Sequence, residues 1–133
     1  LYYDDLHARL DDEKGVHIQA FISEMEKAYA SADMILSRAG AGTISELAVI
    51  GKPSILIPSP NVAEDHQTKN ALALADKKAA LLIRESEIDN RLVADIERLL
   101  ADKPRREQLS ENLTKLAIPD ATQRIVDLIE PLI

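Results

Sequence analysis

Four short apolar runs punctuate the chain, and each of the first three leads into a longer stretch with helical spacing. Val16-His17-Ile18-Gln19-Ala20 leads into residues 23–32, and Met34-Ile35-Leu36 leads through Arg38-Ala39-Gly40 into residues 43–50. Ile55-Leu56-Ile57 ends at Pro58 and, after a loop, gives way to residues 65–78; Ala80-Leu81-Leu82-Ile83 is the last run. Runs this short and this apolar are the pattern of strands buried on both faces. Their alternation with helices implies βαβ units, and so a parallel sheet with right-handed crossovers. Gly51-Lys52-Pro53 marks one boundary, a glycine just past a helix end followed by a proline that cannot continue it.

Beyond Ile83 the spacing is helical only. Ile88, Leu92, Val93, Ile96, Leu99 and Leu100 predict one apolar stripe. Pro104 opens a second helix with Leu109, Leu113 and Leu116, and Pro119 a third with Ile125, Val126, Leu128, Ile129 and Leu132. The expected fold class is α/β, with βα units in residues 16–83 and a helical tail in residues 86–133. Only three Tyr and one Phe are available, so the core must come from Ile, Leu, Val and Ala.

Charge and composition remove several functions. With 16 basic and 23 acidic residues the formal net charge is −7, which argues against a nucleic-acid partner, because a basic surface supplies most of that affinity. There is no Cys, hence no disulfide, thiolate metal site or cysteine nucleophile. No apolar run approaches the roughly 18 residues that a membrane span needs, and no signal-peptide pattern opens the chain. A cytoplasmic setting is the expectation, as is a chain that is part of something larger, since it starts at Leu1 without Met.

In open α/β sheets, ligands bind beyond the carboxyl ends of the strands. Four segments qualify: residues 20–23, 37–43, 58–67 and the stretch after Ile83. Arg38-Ala39-Gly40-Ala41-Gly42-Thr43 is the most suggestive, because its small residues let a ligand approach the backbone and the N–H groups of the next helix point at it. Together with the helix dipole they favour an anion such as a diphosphate, and Arg38 can add a formal charge. Glu46, an acceptor-only carboxylate, suits a pair of hydroxyls such as a ribose diol. Thr43-Ile44-Ser45-Glu46 equally fits a capping box that needs no ligand, and Arg38 equally suits a surface ion pair. In the loop before the next helix, Gln67 and Asn70 carry amides suited to sugar hydroxyls, and Asp65 suits an N-cap. Glu64, Asp65 and His66 lack the spacing of metal ligands. No metal and no cofactor are expected.

Residues 32–47, Ala32-Asp33-Met34-Ile35-Leu36-Ser37-Arg38-Ala39-Gly40-Ala41-Gly42-Thr43-Ile44-Ser45-Glu46-Leu47, resemble the donor-site signature of the MurG family. Gly51-Lys52-Pro53-Ser54-Ile55-Leu56-Ile57-Pro58, Asp65-His66-Gln67-Thr68-Lys69-Asn70-Ala71 and Ile118-Pro119-Asp120-Ala121-Thr122 resemble further family segments in the same order. The resemblance implies the C-terminal half of a GT-B glycosyltransferase, a Rossmann-like domain truncated at its start. The family transfers N-acetylglucosamine from UDP-N-acetylglucosamine to lipid I, giving lipid II for peptidoglycan. The resemblance places Ile22 and Met25 at the uracil, and Ala41, Gly42 and Thr43 at the diphosphate with Arg38, Ile44 and Ser45 in the same segment. It gives the ribose to Glu46 and the sugar to Gln67, with His66 and Asn70 beside it. The lipid I acceptor and its general base belong to a missing N-terminal domain, so this chain alone is expected to be inactive. The intact protein is expected at the cytoplasmic face of the inner membrane, touching it peripherally. Two other readings stay open: a non-catalytic donor-binding subunit of a two-chain N-acetylglucosaminyltransferase, and a flavodoxin-like interaction module that binds no nucleotide.

Overall fold

The structure, a computed structural model, describes residues 3–60 and 65–132. It divides into two compact units, Leu1–Ser31 and Ala32–Ile133. The first unit holds α1 (Tyr3–Leu10) and α2 (Met25–Ser31). Acidic residues in the first turn of α1 and His7 and Arg9 in its last suit the helix dipole. Residues 16–20 form no strand, contrary to the sequence expectation, and Val16 is exposed. That run alternates apolar and polar residues, and extended backbone of this kind becomes a strand only by pairing with a neighbour.

The second unit carries a parallel sheet in the order β1 (Ile35–Ser37), β2 (Ser54–Leu56), β3 (Leu81–Leu82). Between them lie α3 (Ala41–Ile50) and α4 (His66–Asp76), the crossovers that parallel neighbours require. A short 3-10 turn, Glu85–Glu87, then leads into α5 (Ile88–Ala101), α6 (Lys103–Thr114) and α7 (Ala121–Ile129). The central strand β2 is buried along its whole length, whereas Leu36 of β1 is exposed. Ile55, Ile57 and Ile83 pack with Leu99 and Leu109, closing the core between the sheet and the helical tail. Ladder bonds run past the strand ends, with the Ile57 N–H donating to Ser37 O at 2.8 Å and the Ile83 N–H to Leu56 O at 3.0 Å. The strand ends and the loops after them are thereby held in register.

The tail follows its stripes with two corrections. In α5, Leu99 is buried and Ile88, Leu92 and Ile96 pack on the core, but Val93 and Leu100 are exposed. Each residue turns the helix by about 100°, which carries Val93 and Leu100 off the arc shared by the other four. In α7 no residue is buried, and Ile125, Val126, Leu128 and Ile129 are all exposed; the side chain of Leu132 lies outside the described residues. Leu109 and Leu113 of α6 are fully buried, as their spacing predicts. Asp102 starts this helix, its side chain accepting from the Arg105 N–H at 2.9 Å, with Pro104 in the first turn. Asp102→Ala removes that cap and should cost about 1 kcal/mol, a drop in Tm of roughly 3–6 °C readable by circular dichroism.

Candidate functional site

The carboxyl ends of β1, β2 and β3 bring together three loops that are far apart in sequence. After β1, Gly40 takes the N-cap position of α3 in an extended conformation, and no side chain caps the helix. Its carbonyl accepts the Ile44 N–H at 3.0 Å, so the helical ladder starts there. The N–H groups of Ala41, Gly42 and Thr43 precede the first ladder bond, in a turn without acidic residues. Ala41 and Gly42 are exposed. Such a terminus holds partial positive charge and donors directed at any anion beyond it. The helix begins two residues earlier than the sequence suggested, which places Thr43 inside the first turn and excludes it as the cap of a capping box with Glu46. Glu46 is exposed, in the second turn. Ser45 turns its hydroxyl back to the Ala41 carbonyl at 3.1 Å, and Ile44 is half-buried.

Arg38 braces the three strand ends. Its Nη1 donates to the carbonyls of Ile57 at 3.3 Å and Pro58 at 3.4 Å, and to the carboxylate of Glu85, beyond β3. The ion pair raises the guanidinium pKa above its ordinary value through the Glu85 hydrogen bond, and the same bond holds the Glu85 carboxyl below the usual carboxylate range. Of the two roles open to Arg38 in the sequence, the surface pair is present. Its partner stands 47 positions away, and no local spacing signals it.

The start of α4 reaches back to the same loop. Gln67 Oε1 accepts from the Ser59 N–H at 2.9 Å and the Ala39 N–H at 3.3 Å, and Asn70 Nδ2 donates to the Ala39 carbonyl at 3.1 Å. An atom met by two backbone N–H donors must be the amide oxygen, so the orientation of Gln67 is fixed: Oε1 inward, with Nε2 as the remaining donor. Ala39 is fully buried, and both of its peptide groups' polar atoms are held by one helix. Asp65 occupies the N-cap position of α4 with φ 56°, but its side chain makes no capping bond. Asp tolerates the left-handed region better than most residues, which accounts for its place there. His66, the first residue of α4, is exposed. Glu64 and the rest of residues 61–64 lie outside the described residues, and among the described ones no group of three His, Asp or Glu could hold a metal ion.

Comparison with known proteins places the chain in a family. The family model of the glycosyltransferase family 28 C-terminal domain matches residues 3–125. The chain belongs to that family. The family 28 domain is also similar over its whole length to two enzymes named UDP-N-acetylglucosamine--N-acetylmuramyl-(pentapeptide) pyrophosphoryl-undecaprenol N-acetylglucosamine transferase. It is 49% identical to the one from Flavobacterium psychrophilum and 50% identical to the one from Christiangramia forsetii, each over 133 residues. All of this chain, and 36% of each relative, is covered, so the chain spans about a third of their length. Among solved structures, MurG of Acinetobacter baumannii superposes with a TM-score of 0.83 at 32% identity, covering 98% of this chain and 38% of that one. The resemblance read from the motifs is therefore borne out, as is the Rossmann-like, GT-B C-terminal fold. Within the family 28 domain, the second unit gathers Arg38, Ala41, Gly42, Thr43, Gln67 and Asn70 around one loop, while Ile22 and Met25 belong to the first unit and are exposed there. Glu85 is the participant that the sequence did not reveal.

Proposed function

We propose that this chain is the donor-binding part of an inverting N-acetylglucosaminyltransferase that moves N-acetylglucosamine from UDP-N-acetylglucosamine to lipid I, giving lipid II. The observation that carries this reading is the uncapped start of α3, whose Ala41, Gly42 and Thr43 N–H groups lead away from the carboxyl end of β1. In an inverting transfer the acceptor hydroxyl attacks the anomeric carbon and the nucleoside diphosphate departs. Negative charge then grows on the leaving oxygen, and fixed backbone donors stabilise it without reorganising and without a metal. Arg38, shared with Glu85, keeps a positive charge in the residue segment that leads to this turn. Glu46 accepts from the ribose hydroxyls, Gln67 Nε2 and Asn70 face the sugar with His66 beside them, and Ile22 and Met25 meet the uracil. Lipid I and the general base belong to the rest of the longer protein, which works at the cytoplasmic face of the membrane. No helix among the described residues is long and apolar enough to cross a membrane.

The test is an NMR titration of the 14.7 kDa chain with UDP-N-acetylglucosamine, followed by an assay with a lipid I analogue. Saturable shifts at the amides of Ala41, Gly42 and Thr43, and no sugar transfer by the chain alone, are expected. Amides that ignore the nucleotide sugar up to millimolar concentrations, or turnover by the isolated chain, would overturn the reading.

A further inference from the structure

We infer that Gln67 is a positioning residue for the diphosphate loop, in addition to any contact with the sugar. The inference rests on the donor-binding reading above. Three observations meet in it. Gln67 Oε1 takes the Ser59 N–H at 2.9 Å and the Ala39 N–H at 3.3 Å, so one atom ties the loop after β2 to the loop after β1. Asn70, one turn further along α4, holds the other side of the Ala39 peptide group through its carbonyl at 3.1 Å. Ala39 directly precedes Gly40, the residue from which α3 starts without any side-chain cap.

Gly40 has no side chain to fix its own orientation, and nothing caps the helix it opens. The direction of the Ala41, Gly42 and Thr43 N–H groups is therefore set by how Ala39 is held, and α4 holds it. Neutral backbone donors stabilise a developing charge only when they are already aimed at it. The same geometry divides the labour of the amide. Oxygen is spent on the loop, so Gln67 can address a ligand only as a donor, through Nε2. The oxygen end of the side chain holds the loop that meets the diphosphate, and the nitrogen end is left for the sugar.

Two variants separate these ends. Gln67→Met keeps the length of the side chain and removes the amide altogether, and Gln67→Glu keeps an acceptor for both N–H groups while removing the Nε2 donor. Amide hydrogen exchange and UDP titration are measured by NMR on the full chain. UDP lacks the N-acetylglucosamine, so a residue that touches only that sugar leaves UDP affinity unchanged. The expected result is faster exchange at Ala39 and Ser59 in Gln67→Met, with UDP bound about three- to tenfold more weakly. Gln67→Glu should retain the protection of both amides, and exchange in β2 should match the wild type in both variants. UDP affinity unchanged in Gln67→Met overturns the inference and leaves the donor-binding reading intact, as does unchanged protection at Ala39 and Ser59. A wild-type chain that binds no UDP removes the donor-binding reading itself, and the positioning role with it.

Discussion

Glu46→Ala should weaken binding of UDP-N-acetylglucosamine by about ten- to fiftyfold, and the sign of that change matters as much as its size. Glu46 stands in the second turn of α3, beyond the N–H groups of Ala41, Gly42 and Thr43. A carboxylate there repels a diphosphate, so deleting it should tighten binding unless it makes a compensating contact. Two ribose hydroxyls supply one, because hydrogen bonds to an ionised acceptor are worth roughly 1.5–3 kcal/mol each when well formed. Two such bonds together would exceed the stated loss, but exposure of Glu46 lets water compete and relief of the phosphate repulsion offsets part of it, which leaves the ten- to fiftyfold effect. The 2′-deoxy nucleotide sugar should lose a similar factor against the wild type and little more against Glu46→Ala, the non-additivity of two groups that touch. Glu46→Gln should fall between, with an acceptor retained and the charge gone. A tighter complex after Glu46→Ala would show that the residue only repels the phosphates.

Much of this site was legible because parts of it are local. Ile55-Leu56-Ile57 reads as a strand buried on both faces, and β2 is buried throughout. The glycines after Arg38 signal close backbone approach, and α3 does start there, although Gly40 displaces Thr43 as the starting point because a glycine cap leaves no side-chain signature. What the sequence could not show are partnerships made only once the sheet is assembled. Arg38 meets Glu85 across 47 positions, and Gln67 meets Ala39 across 28. Neither pair has a spacing rule, since the loops that carry them converge through strand order and register. The residues 16–20 fail for the opposite reason: a short run rich in apolar residues is a local signal, and a strand needs a partner that local signals cannot supply.

The same dependence on assembled neighbours makes Gly51 a sensitive position outside the site. It ends α3 with φ 68°, its N–H bonded to the Leu47 carbonyl at 2.8 Å, a left-handed turn that side chains disfavour by roughly 1–2 kcal/mol. A Cβ placed there would stand 2.5 Å from Thr114 Oγ1 of α6 and 3.8 Å from Thr114 Cβ. Relief of that clash requires Thr114 to rotate and give up its bond to the Ser110 carbonyl, now 2.9 Å long. Gly51→Ala should therefore cost about 2–3 kcal/mol in all, a fall in Tm of roughly 6–18 °C. The two causes can be separated. In a Thr114→Ala background the clash is gone and only the backbone strain remains, so the cost of Gly51→Ala should drop to about 1–2 kcal/mol. An equal cost in both backgrounds would assign the whole effect to the turn and none to the packing of α3 on α6. Since α3 presents its first-turn N–H groups at one end and is closed by Gly51 at the other, a loosened Gly51 end should also lower affinity for the nucleotide less than it lowers stability. The carboxyl end of β1 and the Gln67 staple hold the start of the helix independently of its finish.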